Sequence, residues 1–175
     1  LLVMTFGTVG FSVLELEQRS ATIDVAAEDP NGLLALEPGA PSVVTTNSEG
    51  VLEINLGDQL GQNEGVNPKS RLEIGNGNAD GNPAFTATNS FDKDVNVKLN
   101  VENIQQPKDA SSNSVGKILV YQDGTEYDVT AGDTIPEITL TSGSSASYSL
   151  HFDTPGNIGT ADPYSADLTF QVTEA

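Results

Sequence analysis

The sequence predicts an all-β fold: an antiparallel β-sandwich, jelly-roll-like, with at most one or two short helices. Three observations predict it. Apolar and polar residues alternate with a period of two in run after run from Arg19 to the end of the chain. Clusters of turn residues separate these runs. Only one stretch, Asn67 to Gly75, carries the punctuation of a helix. With 175 residues the chain is long enough for one domain with a real core, and no Pro/Gly/Ser-rich linker divides it.

Taken in order, Thr22 to Ala27 is a strand with Ile23, Val25 and Ala27 on one face. The turn "DPNG" (Asp29 to Gly32) leads to a short strand at Leu33 to Leu36, which "EPGAP" (Glu37 to Pro41) ends. Val51 to Leu56 places Leu52, Ile54 and Leu56 together. In "NPKSRLEIG", Asn67 is a cap, Pro68 suits the first helical position and Gly75 suits the end, so a short helix is expected. Ala84 to Thr88 is another short strand. In "DVNVKLNVE" (Asp94 to Glu102), Val95, Val97, Leu99 and Val101 alternate without error with polar residues, so one face is core and the other water. Lys117 to Tyr121 and Glu126 to Val129 flank "QDG", whose Asp123-Gly124 pair tolerates positive φ at both central positions of a tight hairpin. Ile135 to Leu140 follows. Ala146 to Asp153 directs Ala146, Tyr148, Leu150 and Phe152 inward, and Asp167 to Thr173 does the same with Leu168, Phe170 and Val172. Short antiparallel strands in this number make a sandwich or jelly roll.

Charge narrows the partners. Asp and Glu number 25 against 7 for Lys and Arg, a formal net charge of -18. Such a surface repels nucleic acid and anionic lipid. Self-repulsion on this scale is relieved by screening, which suits a salt-loving organism or a secreted protein in salty surroundings. There is no cysteine, hence no disulfide framework and no thiolate metal site. No Asn-x-Ser/Thr triplet occurs, so N-linked glycans are not expected. A chain that opens on Leu rather than Met points to a leader removed or a sequence trimmed.

The opening, "LLVMTFGTVGFSV" (Leu1 to Val13), has no charge. A membrane span needs about 20 apolar residues, whereas Glu15 and Glu17 arrive too early and Gly7 and Gly10 weaken a helix from within. A stalk helix suffers from the same glycines. A leftover signal-peptide core fits the composition. A strand fits best: Leu2, Met4 and Phe6 share one parity and Val9, Phe11 and Val13 the other, so a bulge near Gly7 and Thr8 brings both sets to one face. At about 3.3 Å per residue the segment spans roughly 40 Å, long for an internal strand. It packs either in its own domain or in a groove on another subunit, by strand addition to an open sheet edge. Burial of its large side chains at about 1.5 to 3 kcal/mol each contributes on the order of 10 kcal/mol, comparable to an association cost of about 4 to 15 kcal/mol. Donor and groove are different surfaces, so the contact is head-to-tail and builds filaments. The chain accordingly divides into residues 1–17, a protruding N-terminal donor strand, and residues 18–175, the sandwich.

Together with this opening, "SATIDVAAEDPNGLLALEP", "GVNPKSRLEIGN", "FTATNSFDKDVNVKLNVEN" and "GSSASYSLHFDTPG" resemble a family of secreted haloarchaeal β-sandwich filament proteins. More distantly the chain is similar to the archaeal bundling pili and to the bacterial TasA and camelysin biofilm fibres. The resemblance implies a jelly-roll subunit, secreted by a signal-peptide route, whose N-terminal strand completes the sheet of the next subunit. It also implies a role in adhesion or biofilm. The insert "GNGNADGNP" (Gly75 to Pro83) and the strongly apolar donor depart from that pattern.

Catalysis is not expected. His151 is the only histidine, and Ser149 and Asp153 flank it at two-residue spacing on what should be an exposed polar strand face, the two outer residues about 13 Å apart. No phosphate-loop, dinucleotide or zinc motif occurs. Asp80, Asp92, Asp94, Asp153 and Asp162 place oxygen ligands in or beside loops, as calcium favours, but at no recognised calcium-loop spacing; they read as solvated turn residues, and no cofactor is expected. The expectation is a homopolymeric extracellular filament or pilus subunit with no stable membrane span, joined through Leu2, Met4, Phe6, Val9, Phe11 and Val13. Neighbouring filaments in bundles would then depend on salt or divalent cations. The alternative is a monomeric secreted or cell-surface binding module whose opening packs at home or is anchored at the membrane.

Overall fold

The computed structural model describes residues 21–28, 34–39, 44–46, 52–55, 71–78, 81–109, 111–154 and 164–175. The donor positions Leu2 to Val13, and with them the boundary at residue 17, lie outside the described residues. The strands are β1 (Ala21–Glu28), β2 (Leu34–Pro38), β3 (Val44–Thr46), β4 (Leu52–Asn55), β5 (Arg71–Ile74), β6 (Phe85–Asn89), β7 (Val95–Gln105), β8 (Lys117–Gln122), β9 (Thr125–Asp128), β10 (Ile138–Leu140), β11 (Ser145–Asp153) and β12 (Tyr164–Glu174). A single 3-10 turn, Val129–Ala131, is the helical content of these residues.

Two sheets form the sandwich. The first runs β10-β7-β12-β1-β4-β3, and the second β2-β6-β11-β8-β9 with β5 also paired to β11. Pairing is antiparallel except between β1 and β12, which run parallel. Strands so far apart in sequence need no hairpin, so that pair is free of the antiparallel constraint. Its register sets Ile23, Val25 and Ala27 beside Ala166, Leu168 and Phe170. The hairpin between β8 and β9 turns at Asp123 (φ 47) and Gly124 (φ 84), the positive pair that the sequence predicts.

The alternation reading locates the core. Ala146, Tyr148, Leu150 and Phe152 of β11 are each 0 % exposed. At the centre Phe85 stacks on Tyr148 with ring centroids 5.3 Å apart, and Phe170 of the first sheet meets Tyr148 edge-on at 5.2 Å. The Tyr148 hydroxyl accepts from Gln122 Nε2 at 3.1 Å, and burial pushes its pKa up to about 12. A buried side chain also fixes the turn between β6 and β7: Asn89 Nδ2 donates to the carbonyls of Lys93 (2.8 Å) and Leu140 (2.9 Å), and its Oδ1 accepts from Phe91 N (2.9 Å).

Two expectations need correction. Arg71–Ile74, the described part of the expected helix, is strand β5, paired with Phe152 and its neighbours on β11. Leu72 and Ile74 alternate as a strand requires, and an isolated helix this short is unstable in water, so pairing to a buried strand wins. The strand expected from Ile135 starts only at Ile138. Pro136 has no N–H to give a ladder, so pairing begins after it.

Candidate functional site

Strand β7 is the longest element of the first sheet's outer part, and its two edges differ. On one side β12 accompanies it from Val95 to Gln105. On the other, β10 pairs only Val95, Asn96 and Val97. From Lys98 to Gln105 no described strand pairs with that edge.

The burial of β7 follows this division. Where β10 lies alongside, the inward side chains are closed off, with Val95 and Val97 0 % exposed and Leu99, just beyond, 2 %. Farther along, Val101 and Ile104 still pack against the core but are only half-buried. Core-facing aliphatic groups left partly wet at a sheet edge are what an added strand would cover.

A β-bulge shapes this edge. Ser165 faces Gln105 and Asp167 faces Glu102, so Asn103 and Ile104 together oppose Ala166. Asn103 takes φ 51, a conformation that Asn tolerates better than most residues, and its Nδ2 donates to Asp167 Oδ2 at 2.5 Å. The extra residue resets parity: inward positions step by two through Leu99 and Val101, then by three to Ile104. Beyond the bulge a cavity of about 400 Å³ is lined by Ile104, Gln105, Gln106, Lys108 and Ser114. Its loop wall is fixed by Asp109, whose Oδ1 accepts from Ser111 N (2.8 Å) and Asn113 N (2.9 Å). The Asn113 side chain and these backbone donors hold the Asp109 carboxyl below its ordinary pKa.

A second cluster covers the outer face of the other sheet. Ser149, His151 and Asp153 share that face, but Ser149 and His151 are only 3 % exposed, which corrects the expected open polar surface. Side chains and a turn from neighbouring strands lie over them. The ring of Tyr121 rests on His151 at 4.4 Å, and Ser149 Oγ donates to the carbonyl of Asn76 at 3.1 Å. Arg71 is the hub. Its guanidinium reaches Glu73 (3.0 Å), Tyr121 Oη (2.8 Å), Asp153 (3.7 Å) and His151 Nδ1 (2.5 Å), and Tyr121 Oη donates in turn to Glu126. A guanidinium only donates, so Nδ1 is the acceptor and the ring proton sits on Nε2, which is buried without a hydrogen bond. Burial pushes the His151 pKa down and Arg71 adds to this, against the opposing pull of Glu73, the Gly75 backbone and Asp153. Ser149 and His151 are therefore engaged separately, not as nucleophile and base. The cluster ties β5, β8, β9 and β11 together.

Asp92 and Asp94 sit in the exposed approach to β7, while Asp80 and Asp162 lie outside the described residues. Among the described residues no three His, Asp or Glu side chains converge as metal ligands. Among them, too, no helix is long and apolar enough to cross a membrane. The stretch of the β7 edge that no described strand pairs is the feature that the sequence reading missed. Its signal was Pro136, which limits the strand beside β7 to three residues. No family model matches the sequence, and no curated protein matches it.

Proposed function

We propose that this chain is a structural subunit of an extracellular filament or pilus, assembled head-to-tail when residues 1–14 of one copy add a strand to the sheet of another. One observation carries the reading: β7 has an edge without a described partner, with core-facing Val101 and Ile104 half-covered beside it. The same sequence supplies an uncharged apolar segment with six large side chains, Leu2, Met4, Phe6, Val9, Phe11 and Val13. Strand addition satisfies the free backbone groups of an edge through main-chain hydrogen bonds, and alternate side chains bury into the core. The resemblance to secreted filament proteins supports adhesion or biofilm as the setting.

A second reading has its own observation. The start of β1 at Ala21 aligns with Tyr164, next to Ser165 opposite Gln105, so β1 begins at the end of the sheet where no described strand pairs with the outer edge of β7. Two strands and the edge position lie between, about 14 Å at ordinary strand spacing, within reach of the residues between 14 and 21. A chain that closes its own edge would be a monomeric module.

Deleting Leu1 to Leu14 separates the two. A filament subunit stays folded and soluble but no longer forms heat- and detergent-resistant oligomers, as seen by electron microscopy. A self-closed module instead loses its fold as a monomer, and that result would overturn the filament reading. Phe6→Asp or Phe11→Asp, which places an unpaired charge in an apolar joint, should likewise block assembly.

A further inference from the structure

We infer that Asn76 is a self-modification site, at which the chain's own Gly77 nitrogen and water convert the side-chain amide to a carboxylate. The chemistry is intramolecular. The main-chain nitrogen of Gly77 loses its proton to hydroxide and attacks Asn76 Cγ, closing an imide ring as the Cγ–Nδ2 bond breaks and ammonia leaves with a proton from water. Water then opens the ring. Cleavage of the bond from the Gly77 nitrogen to Cγ leaves aspartate at position 76. Cleavage of its bond to the Asn76 carbonyl carbon leaves isoaspartate, with the main chain rerouted through Cβ and Cγ. The balance is a water consumed and an ammonia released, with no oxidant and no cofactor.

The turn after β5 suits each step. Gly77 carries the nucleophile without a side chain, and the ring of Tyr121 lies where one would project, 2.7 Å from an ideal Cβ. Among the described residues the Gly77 N–H has no hydrogen-bond partner. Asn76 is exposed, and Nδ2, the leaving group, likewise makes no hydrogen bond to a described residue. Its Oδ1 accepts from Asn78 N at 3.2 Å, so the negative charge that attack develops on this oxygen meets a donor already in place. The main chain around the amide is tied: Asn76 N donates to the Asn82 carbonyl at 2.9 Å, and Ser149 Oγ donates to the Asn76 carbonyl at 3.1 Å. Gly81 lies against the amide, since a Cβ there would run into it.

Other asparagines lack this combination. Asn89 is buried, and its Nδ2 donates to two carbonyls. Asn113 and Asn103 direct Nδ2 to Asp109 and Asp167. Asn82 precedes Pro83, whose nitrogen has no proton to lose. Asn31-Gly32 repeats the dipeptide but lies outside the described residues. Conversion at Asn76 adds a negative charge, and as isoaspartate an extra main-chain carbon, to the turn whose carbonyl holds Ser149.

Peptide mapping by mass spectrometry tests this on the whole chain, kept folded in buffer or unfolded in urea at mildly alkaline pH over successive weeks. Expected is the mass gain of amide to acid, localised to Asn76 by fragmentation, at least as fast in the folded chain as in urea and faster as pH rises. Asn89, Asn103 and Asn113 lag behind it in the folded chain. In water enriched in heavy oxygen the new carboxyl carries the label, and both aspartate and isoaspartate appear, as opening of an imide requires. Asn76→Gln, whose longer side chain would have to close a larger ring, should not convert. Conversion of Asn76 in urea but not in the folded chain would show that the turn locks the amide, and would overturn the inference. Aspartate without isoaspartate would overturn it too, because that marks direct hydrolysis in which the Gly77 nitrogen takes no part.

Discussion

The two longest-buried edges of this sandwich solve the same problem with different success. One edge of β11 is served by two short strands in line: β6 pairs Ser145 to Tyr148 and β5 pairs Leu150 to Asp153. The chain leaves β5 at Gly75 and re-enters at Ala84 before β6, and every inward side chain from Ala146 to Phe152 is 0 % exposed. The corresponding edge of β7 has its first short strand, β10, and no described second. There the burial fades from Val97 to Val101. A core is therefore completed by strands on both sides of each long strand as well as by the facing sheet. Where the second segment is not supplied from within the described fold, the edge is suited to accept one.

The strongest way to break this comparison is at the handover between β5 and β6. Gly75 has φ +76, and a Cβ there would lie 2.4 Å from Ala84 N and 2.5 Å from Ser149 Oγ. Gly75→Ala adds left-handed strain of about 1–3 kcal/mol to the cost of a backbone clash. The expected loss is about 3 kcal/mol or more, measured by urea unfolding. The closed edge should open with it, so amide exchange at Leu150 to Asp153 should speed up more than at Val95 to Val97. An unchanged unfolding midpoint would show that the loop does not hold the two strands in line.

A gentler pair of changes sharpens the comparison within one strand. Val97→Ala and Val101→Ala remove the same atoms from β7, at a fully buried position beside β10 and at a half-buried one beyond it. At about 0.8 kcal/mol per buried methylene, plus a cavity contribution, Val97→Ala should cost about 2 kcal/mol. Val101→Ala should cost about 1 kcal/mol, both measured in the assembly-blocked Phe6→Asp chain. Equal costs would mean that Val101 is as enclosed as Val97 without any added strand.

What the sequence disclosed and what it withheld divide along the same line. Alternation identified the inward residues of β7, β11 and β12, because burial on one face of a strand leaves a local record. The hairpin at Asp123-Gly124 was equally local. Strand order left no such record: nothing near Arg71 says that "RLEI" lies against β11, so capping signals at Asn67 and Pro68 read as a helix. Nor does the spacing of Ser149 and His151 reveal that Tyr121 and Arg71 lie over them. The segment proposed as donor reads in the sequence as an uncharged run. The β7 edge proposed to accept it was hidden in tertiary pairing, with Pro136 and the break in alternation after Val101 as faint traces.

The smallest of the expected effects concerns the well-closed sheet and its pH dependence. His151 is neutral in the fold, with its pKa held below the ordinary 6.5 mainly by burial. Once unfolded it regains that value, so as pH falls through 6.5 the unfolded chain takes up a proton that the folded chain refuses. Stability contributed by the neutral ring is thus fully present above the unfolded pKa and is lost progressively toward the folded one, at no more than about 1.4 kcal/mol per pH unit. His151→Asn keeps an acceptor for Arg71 but does not titrate. Unfolding at pH 7.5, 6.5 and 5.5 should show the wild type losing more stability than the variant as pH falls through 6.5. The carboxylates of Glu73, Glu126 and Asp153 are common to both chains and cancel to first order. A difference that stays flat, or runs the other way, would mean that His151 takes up its proton as readily in the fold as out of it, and that the lid of Tyr121 and Arg71 does not keep water from the ring.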